Sequence, residues 1–408
     1  MRFGSNVVAF DLCGIPAVGN LDNGAVAGLT PEGAQLCQRL FEEDVAEEEA
    51  RRIDPTLAQW LIDSEFFAEP RETAPLTLAY LHVTQRCNLS CAGCYSEDDA
   101  RNNCEDAPTD AMLRAIDELA EGGVNVLTIS GGETFLRPDL PQLLQRAKEA
   151  GIGTVTVITN GTCTSDEALA ALAPWADAIA VSFDGWSAQC PAHIRGEQRF
   201  HLLCDTVHRI QAAGISAHIT PTIHGKNAGD MARYVQLARE LGATMNYSLL
   251  SCESSDALAP LLPSDEALRS LAQSLLAQGS MPKSSGGPVP FSLFAATSCG
   301  AGVKELSVAA DGAVYPCHML MRPQFHLGNL FEEPLEAIRR RALEMGFGQL
   351  TVDEFDGCRD CGHRYLCGGG CRARALFAHG SLQQPDGYCQ LMRTYYDQLG
   401  ASLKQQFA

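Results

Sequence analysis

Cys87, Cys91 and Cys94 stand within eight positions of one another in the stretch TQRCNLSCAGCYSE, with no fourth cysteine beside them. Thiolates are soft ligands, suited to zinc and to iron–sulfur clusters. A structural zinc site closes its tetrahedron with four protein ligands, and a cubane cluster has four irons to cap. Three thiolates on one loop can therefore hold three irons of a [4Fe–4S] cluster and leave the fourth open to an exogenous ligand. A zinc site completed by a distant residue is the alternative. A second group runs Cys299-x12-Gly312-x4-Cys317, then Cys358-x2-Cys361-x5-Cys367-x3-Cys371, then Cys389. CxxC pairs are common in zinc ribbons, yet seven ordered cysteines exceed what one zinc needs. The other seven of the seventeen cysteines (Cys13, Cys37, Cys104, Cys163, Cys190, Cys204, Cys252) are scattered and read as mostly buried small hydrophobes.

The elements that must position these groups follow from periodicity. Residues 75–280 alternate β-rich runs with amphipathic stretches: LTLAYLHVT (76–84), VNVLTIS (124–130), TVTVITN (154–160), DAIAVSF (177–183), ISAHITPTI (215–223) and TMNYSLLS (244–251). In TDAMLRAIDELAEGG, Thr109 is placed as an N-cap and Gly122 as the stop; PDLPQLLQRAKEAG opens on proline and ends at Gly151. Strands that are nearly all apolar, separated by single helices, predict a parallel sheet covered on its outer face. Six units are too few for an eightfold barrel but enough for a curved, partly open one. The fold class is thus α/β, with a partial (β/α)6, TIM-like barrel. The cysteine trio follows the first strand and so lies on the rim where the active sites of α/β barrels assemble.

Beyond the barrel, MPKSSGGPVPF (281–291) is a breaker-rich linker. Residues 290–400 are rich in cysteine and glycine and poor in long helices, a region expected to be held by its metals. Residues 1–70 form a third region: short strands joined by turns, with LDNG as a hairpin signal, then two helical stretches, the first broken near its middle.

Composition bounds the partners. The 408 residues suit two or three domains, and no long uncharged apolar run or signal layout appears, so no membrane span is expected and a cytoplasmic location is. Fifty acidic against thirty basic side chains give a formal charge of -20, which argues against nucleic acid. It fits a small molecule or basic peptide, and equally simple solubility. In a reducing compartment so many cysteines need a reason other than disulfides.

CxxxCxxC after the first strand of a βα array resembles the radical S-adenosylmethionine (SAM) superfamily. The resemblance implies that Cys87, Cys91 and Cys94 hold a [4Fe–4S] cluster whose open iron binds SAM through its amino and carboxylate groups. An electron from the cluster would cleave the sulfonium to methionine and a 5′-deoxyadenosyl radical, which takes hydrogen from unactivated carbon. The family usually carries an aromatic residue before the third cysteine, where this chain has Gly93, with Tyr95 just after. SGGET resembles the family's GGE motif: Gly131, Gly132 and Glu133 would hold the SAM amino group, with Thr134 where proline is common. TNG, beginning at Thr159, ends the third strand, and SFDG ends the fourth. Ser182 and Asp184 would face the carboxylate or ribose hydroxyls, and Arg195 the carboxylate. The resemblance covers residues 76–250 and requires no general base, because the cofactor carries the hard step.

The seven-cysteine group resembles a SPASM domain, which holds two auxiliary [4Fe–4S] clusters. Carried over, Cys358, Cys361, Cys367 and Cys389 would close one, and Cys299, Cys317 and Cys371 would hold the other. Seven thiolates for eight iron corners leave one corner that a substrate thiolate would occupy, with Cys252 as the rival filler. The N-terminal region, with AVAGLTPEGAQLCQRL at its strand–helix junction, resembles a PqqD-like recognition element. Such winged-helix-like modules bind a leader peptide by adding it as a strand at a sheet edge; a plain structural cap is the alternative. Together the resemblances imply a peptide maturase of the sactipeptide or ranthipeptide synthase type, installing thioether crosslinks in a ribosomally made precursor. Its partners would be that precursor and a reductant such as flavodoxin or ferredoxin. The rivals are other SPASM enzymes (sulfatase-maturing, carbon–carbon-linking or tetrapyrrole-modifying) and a non-catalytic iron–sulfur or zinc scaffold.

Overall fold

The computed structural model describes residues 1–71, 74–96, 101–277 and 293–407. The breaker-rich linker at 281–291 lies outside the described residues.

The first region has its own apolar centre. β1 (Val7–Leu12) and β2 (Ile15–Asn20) form an antiparallel hairpin, and β3 (Val26–Gly28) pairs with the far side of β2. The first turn is Cys13-Gly14, with φ of 53° and 89°, the left-handed pair that a two-residue hairpin requires. LDNG falls in the turn between β2 and β3. α1 (Pro31–Glu42), α2 (Glu47–Ile53) and α3 (Pro55–Asp63) follow, so the acidic stretch does break in its middle. Thr30 and Asp54 accept from Gly33 N and Leu57 N, capping α1 and α3. Phe3, Leu36, Leu40, Leu61 and Phe66 fill the space between sheet and helices.

In the barrel, β4 (Leu78–Thr84), α4 (Thr109–Glu121), β5 (Val126–Gly131), α5 (Leu140–Glu149), β6 (Thr154–Thr159), α6 (Asp166–Leu172), β7 (Ala178–Phe183), α7 (Phe200–Ala212) and β8 (Ser216–Ile223) alternate. The five strands pair in parallel in chain order. Residues alternate between faces with a period of two: Leu81, Val83, Ile129 and Val157 join the core beneath the helices, whereas Tyr80, His82, Thr128 and Thr156 lie on the opposite face. After α8 (Met231–Glu240) the sixth strand splits in two. β9 (Thr244–Met245) pairs with the start of β8 and β10 (Ser248–Leu249) with its end, and α9 (Asp265–Ala277) follows. Thr109 is the first residue of α4 and not its side-chain cap; its hydroxyl donates instead to Asp139 Oδ2 at 2.6 Å.

The cysteine-rich region continues the same sheet. β11 (Glu305–Val308) pairs in parallel with the free edge of β4, and β12 (Ala313–Tyr315) and β13 (Gly328–Asn329) extend it antiparallel. α10 (Leu335–Glu344), α11 (Arg364–Cys367), α12 (Arg372–His379) and α13 (Cys389–Phe407) complete it, and α13 packs along α9. One apolar core runs from Leu81 and Ile129 to Val308, Phe355 and Tyr396. The region is therefore held by apolar packing as well as by whatever its cysteines bind, and its last helix is 19 residues long. Of the seven scattered cysteines Cys37 alone is buried and the others are half-buried, a correction: most sit at edges of packing and not inside it. Among the described residues no helix is long and apolar enough to cross a membrane.

The strand ends are braced by Arg137, whose side chain is 1 % exposed. It donates to Val83 O at 2.6 Å and Ala107 O at 3.0 Å and pairs with Asp139 at 2.8 Å. Arg137→Leu leaves those acceptors without their donor, at an expected cost of about 3 kcal/mol. A lowered thermal midpoint of the anaerobically purified protein checks this.

Candidate active site and cluster ligands

The loops after β4 and β5 stay hydrogen-bonded beyond the strands. Gly132 N donates to Thr84 O and Glu133 N to Arg86 O, both at 2.8 Å, so SGGET lies flush against the start of the cysteine loop. A Cβ on Gly131 would collide with Thr84 O, and one on Gly132 with Arg86 O. Gly131 also has a φ of 130°, open to glycine alone. Glu133, fully buried, accepts from Thr159 Oγ1 at 2.7 Å, Asn160 N at 2.7 Å and Phe135 N at 3.1 Å. Burial pushes its carboxyl up, and these hydrogen bonds oppose that. Thr159 thus holds Glu133 in place. Thr134, where proline is common, donates its hydroxyl to Ile158 O at 2.9 Å.

The cysteine loop is fixed from three sides. Cys87 N donates to Asn102 Oδ1 at 2.8 Å; Asn88 accepts from Asn160 Nδ2 and donates to Thr162 Oγ1, both at 2.8 Å; Ala92 N donates to Ile194 O at 2.9 Å. Ser96 Oγ donates to Gly131 O at 2.8 Å, and Tyr95 shares a 2.5 Å hydrogen bond with Ser130. Gly93 has a φ of 59°, and a Cβ there would collide with the Leu258 side chain. Any side chain there requires a left-handed backbone and a shift of the Leu258 side chain. Arg101 stands 3.3 Å from Cys94 Sγ.

The donor set fits a cube of irons. Cys87, Cys91 and Cys94 are charged neighbours of one another. Three soft thiol donors on one loop suit the irons of a cluster. Burial raises the Cys87 thiol and takes that of Cys91 to about 11, with Arg101 and Arg195 respectively pulling down. Metal binding displaces the thiol protons.

Asp184 and Arg195 are partners. Arg195 N donates to Asp184 Oδ2 at 2.6 Å and its guanidinium pairs with Oδ1. Both line a shallow cleft with Leu89, Asn160, Thr162 and Gln198. Ser182, two residues before Asp184, lies beside Thr220 in the β7–β8 pairing.

Cys358, Cys361, Cys367 and Cys389 line a second cleft with Asp386 and Arg393. Cys299, Cys317 and Cys371 are charged neighbours of each other. Asp386, between the two groups, was invisible in the spacing of cysteines. It accepts from Cys371 N at 2.7 Å, Tyr388 N at 2.8 Å and Arg374 at 2.6 Å. Burial alone would raise its carboxyl, but the Arg374 charge and these bonds leave it below its usual range. Arg372 and Arg393 set positive charge near Cys358, where bound thiolates are negative. Asn88 and Arg101 were likewise missed: no signal separates an Asn or Arg that braces a cluster loop from one that does not.

Gly93→Ala should cost about 1–3 kcal/mol through overlap and left-handed backbone, read as a lower thermal midpoint and less iron bound after anaerobic reconstitution. Adding Leu258→Ala should restore part of the loss; no restoration would remove Leu258 as the cause.

The radical SAM superfamily model matches residues 81–238, and that of SPASM, an iron–sulfur cluster-binding domain, matches residues 299–362. Mycofactocin maturase MftC of Mycolicibacterium smegmatis is 30 % identical, over 78 % of this chain and 83 % of that protein. PqqA peptide cyclase of Ruegeria pomeroyi is 29 % identical, over 78 % of this chain and 89 % of its own. Among solved structures, Streptococcus suis SuiB bound to precursor peptide SuiA superposes with a TM-score of 0.62 at 16 % identity, covering 96 % of this chain and 100 % of that one. The chain belongs to the radical SAM superfamily: it is an enzyme with a C-terminal SPASM domain, using a [4Fe–4S] cluster with S-adenosylmethionine and auxiliary iron–sulfur clusters.

Proposed function

We propose that this enzyme matures a ribosomally made precursor peptide, joining a cysteine sulfur to a carbon of the same peptide as a thioether. The observation that carries the reading is the parallel pairing of β11 with β4. It builds the SPASM cysteines onto the strand whose end bears Cys87, Cys91 and Cys94, so radical generation and a second iron–sulfur site share one rigid sheet. The names of the relatives, a maturase and a peptide cyclase, and the peptide bound to SuiB favour a peptide substrate.

When bound at the trio, the cluster and SAM supply a 5′-deoxyadenosyl radical that abstracts hydrogen from carbon. The chain's own residues do the positioning. Cys87, Cys91 and Cys94 hold the cluster, and Gly131, Gly132 and Glu133 receive the SAM amino group. Asp184 and Arg195 face its ribose and carboxylate, and Thr159 orients Glu133 through its 2.7 Å hydrogen bond. Cys358, Cys361, Cys367 and Cys389 would hold one auxiliary cluster and Cys299, Cys317 and Cys371 the other, which would supply an acceptor for the electron released on coupling. A flavodoxin or ferredoxin supplies the reducing electron.

Residues 1–70 act as the leader-binding module. Asn20 N donates to Ala25 O and Leu29 N to Pro16 O, so in the β2–β3 register the N–H groups of Val26 and Gly28 face the outer edge, free to receive an added strand.

Cys87, Cys91 and Cys94 changed together to alanine should abolish deoxyadenosine formation while auxiliary iron remains. In the parent enzyme, mass spectrometry of a co-expressed precursor should show loss of two hydrogens per thioether. Deoxyadenosine persisting in the triple variant would refute the trio. Val26→Pro removes one edge donor without touching the β2 bonds and should weaken leader binding several-fold, about 1 kcal/mol. Fluorescence anisotropy of a labelled leader measures it, and unchanged affinity would count against this edge.

A further inference from the structure

The two auxiliary sites have seven thiolates for eight iron corners, and one side chain beside them is unaccounted for. Glu305, the first residue of β11, is 9 % exposed, and its Oε1 has no hydrogen-bond partner among the described residues. It makes an ion-pair contact with His318 Nδ1 at 3.5 Å, too poor in geometry for a hydrogen bond. A buried carboxylate oxygen without a donor is costly, and coordination to a metal removes that cost.

The hairpin says which metal. Ser307 pairs with Tyr315 and Val308 with Val314. The ladder ends at Tyr315, where Pro316 O turns to accept from Gly302 N, so the chain leaves the hairpin at Cys317 beside the start of β11. Glu305, Cys371 and Cys299 are the charged neighbours of the Cys317 sulfur. Cys252, the other candidate, packs with Leu250, Leu258 and Leu261 and has Asp256 as its charged neighbour.

We propose that Glu305 supplies the eighth ligand, completing through its carboxylate the auxiliary [4Fe–4S] cluster held by Cys299, Cys317 and Cys371. The inference rests on reading those three cysteines as cluster ligands. A carboxylate is a harder donor than thiolate, so this iron differs from its thiolate-capped neighbours. A peptide cysteine reaching it would exchange with Glu305 and not enter a vacant place.

The test uses the full chain, reconstituted without air, with Cys87, Cys91 and Cys94 replaced by alanine so that only auxiliary iron remains. Glu305→Gln, Glu305→Ala and Glu305→Cys are compared with the Glu305 parent by iron content, Mössbauer and reduced-state EPR spectra, and redox titration. The parent should show one iron site distinct from the rest. The glutamine and alanine variants should lose it or shed that iron, and the cysteine variant should give all-thiolate spectra at a lower potential. Identical spectra and potentials across the set overturn the assignment. Glutamine keeps the side chain's shape, so its spectrum decides if the alanine variant does not fold. Cys371→Ala on the same background separates the two claims. If it leaves iron content unchanged, the three-cysteine site is wrong; if it removes one cluster while every Glu305 variant is silent, Glu305 alone is wrong.

Discussion

β4 is the strand on which the molecule depends. One edge pairs with β5 and the other with β11, and its end leads directly into the cysteine loop. Parallel pairing on both sides fixes the register up to an irregularity between His82 and Thr84, because a one-residue slip would turn Leu81 and Val83 out of the core and Tyr80 and His82 into it. The loop therefore starts from a fixed point. The backbone bonds from Gly132 to Thr84 and from Glu133 to Arg86 continue that pairing past the strands, bringing the GGE turn and the cysteines together by main chain alone.

Around this spine the protein surrounds its thiols with positive charge placed one residue at a time. The chain as a whole is strongly acidic, with a formal charge of -20, yet Arg101 and Arg195 act on the first cysteine group and Arg372 and Arg393 on the later ones. A cluster with thiolate ligands is anionic, and burying it without nearby cations would be expensive. Asp386 shows the same economy in reverse: a buried carboxylate is tolerated because Arg374 and two backbone N–H groups meet it, and it orients Cys371 in return.

Much of this was legible before any coordinates. The strand runs, the helix stops at Gly122 and Gly151 and the broken N-terminal helix follow from periods of 2 and 3.6 and from breakers, which are local properties. The split of the sixth strand was not legible, since TMNYSLLS is uniformly strand-like and only its pairing with two ends of β8 divides it. Thr109 read as a cap because local chemistry favours it, but Asp139, on the next loop, claimed its hydroxyl. The scattered cysteines read as core because cysteine usually is, and only packing could show otherwise. Gly93 looked like a departure from its family, and the side chain it faces, Leu258, lies more than a hundred residues away.

Cysteine order and spacing, taken alone, determined the kind of chemistry, because ligand type and loop length are written along the chain. They also determined the α/β class, because strand and helix periods are local. Tertiary structure decided what depends on residues far apart in sequence meeting in space. It showed that the SPASM region is a continuation of the barrel sheet, that Asp184 and Arg195 hold each other, and that Asp386 braces a cysteine. It also set a buried glutamate, Glu305, beside Cys317, since a strand's neighbours are chosen by packing and register, which no stretch of sequence contains by itself.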